Sequence, residues 1–215
     1  MLEAVIFDVD GVIVDSEQTY FEVVREVFRP YGVDIDEKEY VRRWMIEQTT
    51  TPGVIRDYNL NVSVEEIRAR KAVLLDIRIA EVQLMPHARE LIEELYLECP
   101  LAVVSSAKKS EVLKKIGKFD LVELFQAIIA GEDTERKKPF PDPYQKAVEL
   151  LGVNPQYVVV IEDNPSGVIA GKSAGCKLIA YPNGFTKGMD FSHADAVVGS
   201  LSEVNDSLLY RLTGK

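Results

Sequence analysis

From Leu84 to the C-terminus short apolar runs alternate with amphipathic stretches, and that alternation leaves few architectures open. Residues 86–97 have helical spacing, 101–105 form an apolar run, 108–117 are helical again, and 127–131 form a second run. Asp142-Pro143 opens a helix that Gly152 closes, 157–162 are apolar, 165–174 helical and 177–181 apolar, with a short edge strand at 195–198 before a last helix. Ala4 to Phe7 adds a strand at the start of the chain. Strands separated by helices pair in parallel and are covered on both faces. The expected fold is therefore α/β: a doubly wound, mostly parallel, Rossmann-like sheet with helices on both faces.

The first strand lacks its helix in place. Residues 15–80 instead read as helices throughout, which predicts an all-helical cap inserted into a core made of 1–14 and 81–215. Apolar residues at Tyr20, Phe21, Val24, Val27 and Phe28 give helical spacing over 16–28, ended by Pro30 and Gly32. Asp36 reads as the N-cap of a second helix reaching Ile46, and Thr51-Pro52 as the start of a third. Ser63 and Glu66 form a capping-box pattern ahead of a helix running to about Ala80. On that helix Lys71 and Arg78 fall inside the stripe of Val64, Ile67, Leu74 and Leu75. Such cations either lay their stems along the apolar face or meet an anion in a cleft.

Several strand ends then deliver polar groups to one edge of the sheet. Asp8 and Asp10 follow the first strand one residue apart, so both side chains leave toward the same side, and Gly11 permits a sharp turn after them. Ser105 and Ser106 follow an apolar run and can meet phosphate oxygens through a hydroxyl and free N–H groups, although Ser105 would equally serve as a helix cap. Lys138 sits in a segment stiffened by Pro139, Pro141 and Pro143, which presents it as a fixed charge. Glu162 and Asp163 end another apolar run. Buried acids of this kind need a cation, and Mg2+ suits an all-oxygen site that keeps waters and a substrate phosphate.

A net charge of −10 argues against nucleic acid or an anionic membrane as partner. Cys99 and Cys176 are too far apart in sequence for a metal motif and read as buried free thiols, while His87 and His193 read as surface or helix-start residues. No run reaches membrane-spanning length and the core strand begins directly after Met1, so the expected location is cytoplasmic and the expected state a monomer or weak homo-oligomer.

These residues together resemble the haloacid dehalogenase-like hydrolases, whose four motifs occur here in order as Asp8-x-Asp10, Ser105, Lys138-Pro139 and Glu162-Asp163. The stretches 7–17, 138–144 and 162–167 are similar to the branch with β-phosphoglucomutases, phosphoglycolate phosphatases and sugar-phosphate phosphatases. The resemblance implies that Asp8 attacks phosphorus to give an aspartyl-phosphate and that Asp10 acts as general acid, then base. It implies Mg2+ on Asp8, Asp163 and the Asp10 backbone carbonyl, with Glu162 as ligand or outer partner, and Ser105, Ser106 and Lys138 on the phosphoryl oxygens. The implied substrate is a small phosphorylated metabolite of the sugar-phosphate or phosphoglycolate type. Lys71 matches a cap lysine of the mutases, with Tyr20, Arg43 and Gln48 as further specificity candidates. The mutases, however, carry a histidine where this chain has Tyr20 and a Gly-Val-Ser-Arg-like turn where it has Ile46 to Pro52, so a phosphatase is expected ahead of a phosphosugar mutase. A phospho-accepting receiver domain shares the acids, hydroxyl and lysine, but it is shorter and has no inserted helical segment.

Overall fold

Ala4–Phe7 (β1) is buried along its whole length because it lies in the middle of the main sheet. On one side it pairs with Leu101–Val104 (β4), which pairs in turn with Ala127–Ile129 (β5). On the other side come Val158–Glu162 (β6), Lys177–Ala180 (β7) and the edge strand Ala196–Val197 (β8). Every pairing is parallel, and the order β5-β4-β1-β6-β7-β8 reverses direction beside β1. In an open α/β sheet that reversal marks the crevice where ligands bind, outside the carboxyl ends of the strands.

Residues 2–214 are described by the computed structural model, and they form two units. The sheet unit runs to Asp15 and resumes at Gln83. Its helices are Ala88–Tyr96 (α5), Lys109–Gly117 (α6), Asp142–Leu151 (α7), Pro165–Ser173 (α8) and Asp206–Thr213 (α9). Tyr144, Ala147 and Val148 of α7 and Val168 and Ala170 of α8 pack on the face made by Ala4, Ile6, Ala102, Val104, Val158 and Val160. Val5, Phe7, Val103, Val159 and Ile161 point to the other face and are equally buried. Two covered faces explain why these strands are apolar without alternation.

Two further strands escape the sequence reading. Val14–Asp15 (β2) and Gln83–Leu84 (β3) form an antiparallel ribbon with Val14 opposite Leu84 and Asp15 opposite Gln83. Each is two residues long, too short to show a period of its own. The ribbon is where the chain leaves the sheet unit and returns to it.

Ser16–Val82 is the second unit, made of Glu17–Phe28 (α1), Glu37–Tyr40 (α2), Thr50–Asp57 (α3) and Val64–Arg78 (α4). Asp36 caps α2 by accepting the Glu39 N–H at 2.7 Å. The helix expected to reach Ile46 instead widens into a π-helical stretch, Val41–Ile46. Ser63 caps α4 by accepting the Glu66 N–H at 3.1 Å, whereas the Glu66 carboxylate accepts from Tyr31 at 3.0 Å, so only half of the capping box forms. Arg78 lies against Glu22 at 3.5 Å and Glu26, both on α1. Its place in the α4 stripe is therefore that of a helix-to-helix ion pair rather than of an anion receptor.

Candidate active site

Asp8 continues β1, and its N–H still donates to Ile161 of β6 at 3.0 Å, so the two central strands deliver Asp8 and Glu162 side by side. The chain then folds back within a few residues, with Gly11 N–H on Val14 C=O at 2.8 Å and Val14 N–H on Val9 C=O at 2.9 Å. Gly11 has φ +81°, and a Cβ there would lie 2.5 Å from Asp163 Oδ2 and Asn183 Nδ2. The turn thus lays main chain directly against the Asp163 carboxylate.

Lys138 is the centre of the charge network. Its ammonium donates to Asp8 Oδ1 at 2.5 Å, Glu162 Oε1 at 2.6 Å and the Val104 carbonyl at 3.1 Å, all within buried surroundings. Breaking a buried pair of this kind by removing one partner costs about 3–5 kcal/mol, because a charge is left without its counter-ion. Glu162 is held in turn by Tyr144, whose hydroxyl donates to Oε1 at 2.6 Å, and by the N–H groups of Asp163 and Asn164 on Oε2 at 3.1 and 3.2 Å. Both of its oxygens are engaged. In this arrangement the Glu162 carboxylate positions Lys138. Asp163 accepts from Asn183 Nδ2 at 2.7 Å.

Burial pushes the Asp8 carboxyl up to about 7, with Lys138 opposing that rise and Glu162 and Asp10 adding to it. Burial works against the Lys138 ammonium, but Asp8 and Glu162 outweigh it and hold its pKa well above the usual lysine value. The Tyr144 phenol is raised by burial and by Glu162. Burial likewise pushes the thiol of Cys99 up to about 11 and that of Cys176 to about 12, so neither serves as a nucleophile near neutral pH.

Ser105 is buried at the end of β4, where its hydroxyl accepts the Ala107 N–H at 3.1 Å, and Ser106 next to it is exposed. The capping alternative for Ser105 holds only locally, since α6 has Lys108 as its N-cap. Asp10 meets Lys115 of α6, a residue that sequence reasoning passed over because Lys114-Lys115 reads as surface charge. Tyr144 and Asn183 were missed as well. Tyr144 closes the proline-rich segment six residues after Lys138, and Asn183 follows the next strand end, but neither type is diagnostic alone.

Of the specificity candidates in the helical unit, Lys71 and Tyr20 meet each other, the ammonium lying 5.5 Å from the ring centroid. Gln48 is exposed with φ +53°. Arg43 is 4% exposed, and its guanidinium is held by Glu39 at 2.7 Å and Asp57 at 2.8 Å within the unit. His193 is exposed and His87 stands at the start of α5, as the sequence implied. Among the described residues no helix is long and apolar enough to cross a membrane.

A buried carboxylate clamped by a lysine thus lies at the switch point of a parallel sheet, with a hydroxyl and a second acid at neighbouring strand ends, where open α/β enzymes bind their ligands. The chain belongs to the haloacid dehalogenase-like hydrolases, whose family description matches residues 5–181. A phosphorylated carbohydrates phosphatase of Thermotoga maritima is 34% identical over 83% of this chain and 84% of its own. A bifunctional riboflavin kinase/FMN phosphatase of Arabidopsis thaliana is 28% identical over 93% of this chain, which spans only 54% of that larger protein. The crystal structure of CbbY from Rhodobacter sphaeroides in complex with phosphate aligns with a TM-score of 0.81 at 29% identity, covering 95% of this chain and 97% of that one.

Proposed function

We propose that the protein is a phosphoric monoester hydrolase that removes phosphate from a small phosphorylated metabolite of the sugar-phosphate or phosphoglycolate type. The observation that carries this reading is the Asp8–Lys138–Glu162 cluster, a nucleophile-sized carboxylate buried beside a fixed cation. Asp8 attacks phosphorus and forms an aspartyl-phosphate while the bond to the leaving alcohol breaks. Asp10 gives its proton to the departing oxygen and later takes one from the water that hydrolyses the acyl phosphate. Ser105, Ser106 and Lys138 hold the phosphoryl oxygens, which supplies the positioning and charge neutralisation that such transfers depend on.

Mg2+ fits this donor set. Asp8, Asp163 and the Asp10 carbonyl are all oxygen donors, and the Gly11 turn brings main chain against Asp163. Among the described residues no group of three or more acidic, histidine or cysteine side chains forms a ready metal cage. Mg2+ is commonly held by one or two carboxylates and keeps several of its waters. When bound, it would neutralise the charge that accumulates between Asp8 and the phosphoryl group.

Selection among esters is assigned to the helical unit, to Lys71 with Tyr20 first and Gln48 next. The Tyr20 ring and the sequence from Ile46 to Pro52 favour a phosphatase over a mutase. Cytoplasmic location and a monomeric or weakly associating state complete the proposal.

A phosphate-release screen over sugar phosphates, phosphoglycolate and nucleotides tests it, with isomerisation of β-glucose 1-phosphate run alongside. Release that needs Mg2+, stops with EDTA and falls at least about a thousandfold in Asp8→Asn is expected. Appreciable turnover by that variant would remove Asp8 from the nucleophile role. Lys71→Ala should lose more activity on the best metabolite than on p-nitrophenyl phosphate, and equal losses would take Lys71 out of selection.

A further inference from the structure

We infer that Lys115 is a positioning residue that fixes the carboxylate of Asp10 for proton transfer, an inference that rests on the phosphatase reading with Asp10 as general acid. Lys115 is among the largest fully buried side chains, with 0% of its side chain exposed, and its ammonium donates to Asp10 Oδ1. A bare ammonium is costly to bury, so a lysine at such a place is kept only with a counter-ion. Here that counter-ion is the second aspartate of the first motif.

The placement follows from helix geometry. Val112, Lys115 and Ile116 are the buried residues of α6, spaced three and four apart on one face. The helix therefore inserts a lysine where its pattern calls for an aliphatic residue and points it at the end of β1. Asp10 needs this help, since it lies beyond the strand on a tight turn, and its side chain is 18% exposed. Lys138 pairs with Asp8 and Glu162 and Lys115 with Asp10, so among the described residues each half of the Asp8-x-Asp10 pair has a cation against it. A carboxyl group delivers its proton only from within hydrogen-bond reach of the leaving oxygen, and a loose one loses much of its effect.

Proton donation matters most when the leaving group is poor, which separates positioning from general damage. The experiment measures kcat/KM for a series of substituted phenyl phosphates, from p-nitrophenyl phosphate to phenyl phosphate, in the full-length enzyme with Mg2+. Lys115→Met should lose less than about tenfold on p-nitrophenyl phosphate and about a hundredfold or more on phenyl phosphate, steepening the dependence on leaving-group basicity. Lys115→Gln gives the same reading should the methionine variant not fold, and Lys115→Arg should bring the slope back toward wild type. Equal loss across the series in a folded neutral variant, or no loss at all, overturns the inference. Failure of the wild-type enzyme to release phosphate from any of these esters would instead overturn the phosphatase reading beneath it.

Discussion

Asp8 joins the proposed chemistry to the stability of the molecule. With its carboxyl raised from 3.8 to about 7, the folded protein holds a proton on Asp8 that the unfolded chain has already released between those values. Folding stability from this group therefore falls as pH rises through that window, by at most about 1.4 kcal/mol per pH unit. Asp8→Asn mimics the protonated form at every pH. In metal-free buffer the melting temperature of wild type should drop relative to that variant between pH 5 and pH 8, and parallel profiles would show that burial does not raise Asp8. The acids, Ser105 and Lys138 were legible in the sequence because each stands where an apolar run stops or prolines stiffen the chain. Lys115 was not, since the pattern that buries it is set by packing of α6 rather than by its own type. The ion pairs of Arg43 with Glu39 and Asp57 were not legible either, since they depend on packing that only coordinates show.

At the scale of elements, β6 and α8 show how closely the site is built into the fold. Gly167 lies inside α8, where alanine normally gains about 0.5–1 kcal/mol over glycine. A Cβ at that position, however, would fall 1.7 Å from Glu162 Oε1. Gly167→Ala should therefore destabilise the protein by about 1–3 kcal/mol and cut kcat, because Glu162 cannot give way without releasing Lys138. Denaturant unfolding together with initial rates checks both effects, and a stabilised, fully active variant would mean that the helix yields instead. The succession of strands and helices was readable from alternating apolar segments, down to the glycine that ends α7. The β2–β3 ribbon and the π-helical stretch at Val41–Ile46 were not, as neither leaves a period in two to six residues.

For the whole molecule, the ribbon makes the sheet unit separable from what is inserted in it. Asp15 and Gln83 are cross-strand partners, and such residues lie only about 4.5–5.5 Å apart. A two-residue Asn-Gly turn could thus replace Ser16–Val82 without moving either strand. The shortened chain is expected to keep a cooperative thermal transition and the circular dichroism of an α/β sheet, while losing its preference among phosphate esters. A non-cooperative melt would show that the sheet unit depends on the insert. The converse operation is limited by chain entropy alone. Once the two ends are tied, doubling the length between them adds only about 0.6 kcal/mol of closure cost. Segments of quite different size can therefore occupy that gap at nearly constant stability, while the groups at the strand ends stay as they are.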